Sequence, residues 1–298
     1  EMFNKITKGG VPKKTLNMIM GGVHTGKSLF LCHFSSAYLA QGKNVLYITL
    51  EMAEEDIAKR IDTNLLNISF DDLAVLSKDK YAAKIKRLKN KTTGKLIVKE
   101  YPSTTASVHH FHALLNELNL KKGFVPDVIM IDYLNICASS RLKSSNASDT
   151  YAYVKSIAEE VRGFGQQIGI PIWSATQLNR QGFGSSDPDM TNVSESFGLP
   201  ATVDLLLVLI ASEQMKALNQ IMVKQLKNRY SDMELYKRFV VGVDKTKMKL
   251  YDVEETAQTN ITDSGNPNNV SDSKPVFDRG NFSNKDKWLD ADRFQIPF

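Results

Sequence analysis

The sequence has only two cysteines, Cys32 and Cys137, far apart and each inside an apolar stretch. That argues against a disulfide framework or a cysteine-rich zinc site and fits reduced, buried thiols, so an intracellular, cytoplasmic location is expected. No run of about 18 apolar residues occurs, which speaks against a helical membrane span. The N-terminus lacks the charged-then-apolar order of a signal peptide, and no solenoid-type repeat is found. Excess charge is small, +5 overall, and unevenly held. Residues 253–298 carry eight Asp/Glu and five Lys/Arg, a balance of −3, which leaves +8 for residues 1–252. Such a body permits nucleic-acid binding without demanding it, since many metabolic enzymes match it.

What is present is an ordinary globular composition: 298 residues, 42% of them apolar, enough for one large core or two modest ones. Short apolar runs read as strands: "LNMIM" (16–20), "VLYITL" (45–50), "KLIVKEY" (95–101), "DVIMID" (127–132) and "IPIWSAT" (170–176). Helical stretches, Lys27–Ala40, Glu54–Leu66, Lys78–Lys89, Ser107–Leu118 and Thr150–Gln167, lie among them. This alternation predicts an α/β fold whose mostly parallel central sheet is covered on both faces. Four further runs, at 203–211, 220–227, 234–243 and 247–253, leave no room for full helices and predict a partly antiparallel extension. From about Glu254 the text turns to Asn, Ser, Asp, Gly and Pro without a burial pattern. The division expected is therefore a domain over 1–252 and a disordered, flexible tail over 253–298. Trp288, Leu289, Phe294, Ile296 and Phe298 restore apolar content at its end, as a peptide for docking on a partner or as a segment packing back on its own body. The chain starts at Glu1 rather than Met, with a strand almost at once, so an N-terminal part is expected to have been removed.

The chemistry centres on "GGVHTGKS" between the first strand and the first long helix. The spacing G-x-x-x-x-G-K-S is a phosphate cradle. Residues 21–29, that is Gly21, Gly22, Val23, His24, Thr25, Gly26, Lys27, Ser28 and Leu29, are the expected nucleotide contacts, with His24 a solvent-facing spacer. Lys27 is expected at the β- and γ-phosphates of ATP and the Ser28 hydroxyl on Mg²⁺. Asp132, ending "VIMI", is placed to hold the metal's water shell. Glu51 ends "VLYITL" and Gln177 ends "IWSAT". Ligands of open parallel sheets bind outside the carboxyl ends of the strands, so Gly21, Glu51, Asp132 and Gln177 fall along one edge. Glu51 is placed to orient and deprotonate an attacking water, and Gln177 to sense the γ-phosphate. By contrast "HHFH" (His109, His110, His112) reads as helix surface, and "KDKYAAKIKRLKNK" (78–91) as a solvated amphipathic helix.

"GGVHTGKS", "YITLEM", "VIMIDYL", "SATQLNR", "SESFGLPATVD" and "KNRYSD" occur in the order and spacing of the RecA-like core of DnaB-type replicative helicases, which residues 5–250 resemble. Wording such as "NVLYITLEMAEE" and "FVPDVIMIDYLNIC" is similar to the replicative helicases of T-even-like bacteriophages, whose setting is the host cytoplasm. The resemblance implies a RecA-like P-loop ATPase, a homo-hexamer moving 5′-to-3′ on single-stranded DNA, and a primase and a helicase loader as partners. It also implies that Lys227 and Arg229 of "KQLKNRYSD" act as a basic pair in the neighbouring subunit's nucleotide site. Loops at about Ser139–Asp149 and Asn179–Thr202 would face DNA, with Arg141, Lys143 and Arg180 as phosphate partners. Many DnaB proteins have Arg before Glu-Ser, whereas here Ser194 precedes Glu195 and Ser196, and Phe197 and Gly198 follow. That departure shifts the expected DNA contact in this stretch to Ser196, Gly198 and backbone amides beside Glu195. A recombinase-like filament ATPase and an ATP-regulated loading scaffold without motor activity remain open alternatives, with a small-molecule phosphotransferase the weakest.

Overall fold

The structure is a computed structural model that describes residues 1–91, 94–142, 150–177, 198–233, 236–254 and 258. Nine strands occur among the described residues: β1 (Leu16–Gly21), β2 (Val45–Thr49), β3 (Leu96–Glu100), β4 (Val128–Asp132), β5 (Ile172–Gln177), β6 (Leu205–Ile210), β7 (Gln220–Asn228), β8 (Arg238–Asp244) and β9 (Lys249–Asp252). They form one sheet in the order β3-β2-β4-β5-β1-β6-β7-β8-β9. The first six are parallel, and β6 to β9 pair antiparallel. The expected antiparallel extension therefore begins only at β7, because β6 still runs alongside β1.

Every residue of β1, β2, β4 and β6 is buried, which is why these strands read as continuous apolar runs rather than as alternating ones. The two-residue period divides them between two cores. Leu16, Met18, Met20, Leu46, Ile48, Ile129 and Ile131 face one side, under helices α6 (Val108–Lys122) and α7 (Thr150–Ile168). Ile19, Val45, Tyr47, Val128 and Met130 face the other, under α2 (Lys27–Ala40) and α3 (Glu54–Leu66). Each such side chain, fully buried, contributes roughly 1.5–3 kcal/mol. On the second face Phe3, Phe30, Phe34, Phe239 and Trp173 add edge-on and tilted ring contacts.

Helix limits follow local chemistry. Helix α6 starts after Ser107, in a capping box with His110, and stops at Gly123, which takes the left-handed conformation at φ 57°. Short helices that the sequence pattern does not announce are α1 (Met2–Thr7), α4 (Phe70–Ala74), α8 (Gly198–Thr202) and α9 (Glu213–Ala217). Among these, α8 corrects the expectation of a loop running to Thr202, since its last five residues are helical. The lysine-rich helix α5 (Lys78–Lys91) has no buried residue among those described. No described helix is long and apolar enough to cross a membrane. The tail beyond residue 258, with its apolar terminal segment, lies outside the described residues.

Candidate nucleotide site

Helix α2 begins where β1 ends, so its free N–H groups point out beyond the sheet edge, a ready anion site. Two glycines shape the turn between them. Gly26 is the N-cap at φ 96°, a conformation that favours glycine. At Gly21 a Cβ would collide with Thr25 Oγ1. Thr25 Oγ1 in turn donates to Gly22 O at 2.9 Å, and Lys27 Nζ donates to Gly22 O at 2.7 Å and Gly21 O at 3.2 Å. Leu29 is buried in the core and anchors the turn, whereas Val23 is 48% exposed. His24 is exposed as expected, yet its position is not conformationally free, because its backbone sits at φ 59°.

Asp132 is the last residue of β4 and 1% exposed. Alternation turns it toward the α2 side of the sheet, with Val128 and Met130. There Tyr47 OH donates to Asp132 Oδ2 at 2.9 Å. Burial raises the Asp132 pKa, and hydrogen bonds from the Ser28 and Tyr47 hydroxyls pull it back. Burial lowers the pKa of Lys27, against the attraction of Asp132 and Glu51. Glu51 is exposed in the turn after β2. That turn is shaped by Thr49 Oγ1, which donates to Met52 O at 2.8 Å and accepts from Met52 N at 3.0 Å.

The sheet register brings the remaining groups together. Thr49 lies opposite Asp132, and Gly21 opposite Gln177, so the tips of β2, β4, β5 and β1 follow one another along one edge. Gln177 is exposed at that edge. A groove beside the cradle is lined by His24, Thr25, Leu29, Ile221, Val243 and Lys245, and the antiparallel strands supply its far wall. The sequence pattern does not reveal that wall, because sheet order is not written locally. Tyr47 is a second omission, whose one signal is a polar tip between the apolar neighbours Leu46 and Ile48.

Lys227 and Arg229 lie at the other edge. Asn228 pairs with Leu205 at the start of β6, so both are level with the beginning of β1. From Leu16 to Gly21 is five steps of about 3.3 Å, roughly 16 Å of strand between them and the cradle. Arg229 follows β7 instead of lying in it. Lys227 Nζ donates to Pro200 O at 2.6 Å and Ala201 O at 3.1 Å, and Arg229 NH1 to Asp204 Oδ1 at 2.8 Å.

Of the expected DNA contacts, Arg141 is described, with NH1 3.5 Å from Glu159 Oε2 and Nε 3.8 Å from Glu160 Oε1. Gly198 opens α8. Lys143, Arg180, Glu195 and Ser196 lie outside the described residues. His110 bonds to Ser107, and His112 Nε2 lies 3.1 Å from Gln167 Oε1. No group of His, Cys, Asp and Glu that could hold a metal by itself occurs among the described residues.

The chain has relatives among known proteins. A DnaB-like replicative helicase of Enterobacteria phage T4 is 45% identical over 257 residues, covering 85% of this chain and 54% of that protein. The replicative DNA helicase DnaB of Helicobacter pylori is 23% identical over 204 residues, 67% of this chain and 40% of its own length. The chain thus spans about half the length of the curated relatives it matches. Two solved structures share the fold. One, of a DnaB-like replicative helicase and its interactions with primase, superposes with a TM-score of 0.70 at 17% identity, over 85% of this chain and 62% of that one. The other, an ATPase domain, gives 0.69 at 16% identity, over 85% and 89%. The model of the DnaB-like helicase C terminal domain matches residues 1–246, through the cradle, the Asp132 strand and the basic pair alike, and the chain belongs to that family.

Proposed function

We propose that the chain is the motor part of a replicative DNA helicase, an ATPase that works as a hexameric ring and moves 5′-to-3′ on single-stranded DNA. One observation carries the reading: the phosphate cradle and the basic pair lie on opposite edges of one sheet. A copy cannot bring its own Lys227 and Arg229 to its own nucleotide, so a complete site needs a second copy. The names of the phage and bacterial relatives support the same activity.

In this mechanism Gly21 to Leu29 bind the phosphates of ATP through backbone N–H groups and the helix end, with Lys27 at the outer phosphates. The groove beside the cradle receives the base and sugar. Ser28 and Asp132 fit Mg²⁺, being oxygen donors beside one another at the cradle, and the metal, when bound, neutralises phosphate charge. Glu51 orients water and takes its proton. Lys227 and Arg229 of the adjacent copy stabilise charge that develops on the γ-phosphate. Gln177 passes the state of that phosphate to residues 178–197, where Arg180, Glu195, Ser196 and Gly198 beyond them form one DNA contact, with Arg141 and Lys143 the other. A primase and a helicase loader are the working partners, in the cytoplasm of the host cell.

The test is steady-state ATP hydrolysis at assembling concentration, with and without single-stranded DNA, using wild type mixed in varying ratio with Arg229→Ala. Strong DNA stimulation, with the variant inhibiting beyond simple dilution, supports the reading. Turnover indifferent to DNA that falls only in proportion to dilution removes it.

A further inference from the structure

Asp204 stands between α8 and β6, at the sheet edge away from the cradle. Three donors converge on it. Leu16 N donates to Oδ2 at 3.0 Å, while Arg162 NH2, at 2.9 Å, and Arg229 NH1, at 2.8 Å, share Oδ1. The partners differ in depth. The Asp204 side chain is 6% exposed, that of Arg162 21% and that of Arg229 49%. Arg162 is further tied by NH1 to Thr202 O.

That gradient decides what can move. A buried carboxylate with a single arginine cannot release it without leaving an uncompensated charge. Asp204 can release Arg229, because Leu16 N–H and Arg162 stay with it. The charged hydrogen bond meanwhile fixes a long side chain at the surface in one orientation.

We propose that Asp204 is a positioning residue for Arg229. It presets the guanidinium for the nucleotide of the adjacent copy, and Arg162 keeps Asp204 paired while Arg229 is engaged there. Preorientation lowers the ordering cost that the guanidinium otherwise meets when it reaches a developing charge. The proposal rests on the trans role of Lys227 and Arg229 stated above.

A double-mutant cycle on turnover tests it, with Asp204→Asn, Arg229→Ala and the two combined. Each is measured in the full chain at assembling concentration, with single turnovers at excess enzyme for slow variants and a melting curve for each protein. Asp204→Asn is expected to lower kcat three- to tenfold while KM for ATP stays within twofold, and to lower it no further in the Arg229→Ala background. An unchanged or raised kcat in Asp204→Asn overturns the proposal, as does an equal further loss in the double variant, the signature of a merely structural role. If Asp204→Asn does not fold, Asp204→Glu, which keeps the charge but moves it by one methylene, carries the same comparison. Should Arg229→Ala alone leave kcat unchanged, the trans reading itself fails, an outcome separable from the other two.

Discussion

The phenol of Tyr47 donates to Oδ2 of Asp132 at 2.9 Å, so the carboxylate at the tip of β4 is fixed from the neighbouring strand β2. Both groups are buried, and burial raises the pKa of each. Tyr47→Phe keeps the ring in the core and removes only the hydroxyl. A hydrogen bond to a charged group contributes about 2 kcal/mol, so turnover should fall by up to roughly thirtyfold and the Mg²⁺ concentration giving half-maximal rate should rise. Hydrolysis titrated with Mg²⁺ at saturating ATP checks this.

Glu51 sits exposed in the turn after β2, close enough to Asp132 and Tyr133 to act on their titration. Glu51→Gln preserves shape and removes the proton acceptor. Binding of a fluorescent ATP analogue should remain within a few-fold of wild type, while hydrolysis drops by about 10²-fold or more. Retained turnover would take Glu51 out of the base role.

Glu160 holds the chain that follows β4. Its Oε1 accepts from Ser156 Oγ at 3.0 Å and Ser139 Oγ at 2.5 Å, and its Oε2 from Ser140 N at 2.7 Å and Ser140 Oγ at 2.5 Å. Burial alone would raise its pKa, but those bonds outweigh it and hold it below the usual carboxylate value. A depressed folded pKa gives stability that is present above the unfolded pKa and lost as pH falls through the folded one. Glu160→Ala takes the acceptor from the buried Ser156 hydroxyl and from the half-buried Ser139 hydroxyl, and should cost about 2 kcal/mol in urea unfolding. Arg141→Ala, at an exposed ion pair, should cost under about 1 kcal/mol.

His33 is held neutral. Its Nδ1 receives Asn64 Nδ2 at 3.1 Å and Leu250 N at 3.4 Å, both donors. Burial, with Lys249 nearby, pushes its pKa down from 6.5 to about 4. The unfolded chain therefore binds the proton first, so stability declines as pH falls from about 6.5 and the loss levels off below about 4. The full effect is at most about 3 kcal/mol. His33→Gln should flatten the change in melting temperature over that interval.

His24 occupies left-handed backbone at φ 59°, where a β-branched side chain is strained. His24→Val should cost about 1–2 kcal/mol, whereas His24→Gly should stay near wild type. Thermal melts of the two variants decide it.

Much of this molecule is legible from periodicity and strand ends. The apolar runs at 16–20, 45–50 and 127–132 are strands because both faces of a parallel sheet are covered, and Glu51, Asp132 and Gln177 are found where their runs stop. The less legible parts depend on non-local geometry. Nothing near Asp204 in the sequence announces Arg162 and Arg229, which arrive from a helix and from the end of a distant strand. Helix α8 is hidden because five helical residues with a central proline give no period to read, and the left-handed backbone at His24 because a histidine in a loop does not announce its φ. The trans role proposed for Lys227 and Arg229 comes from the family resemblance, since composition alone would treat the pair as a solvated patch.

Placing the cradle and the basic pair at opposite edges of the sheet has a consequence for counting. If the pair acts in trans, each copy offers one donor face and one acceptor face, and like faces never meet. Association is then head-to-tail, a heterologous contact that extends until the ends join. An open chain of n copies completes n − 1 nucleotide sites and wastes one half-site at each end, whereas a closed ring completes n. Specific activity per copy thus rises with length in open assemblies and reaches its ceiling only on closure, so ring formation itself acts as a rate term.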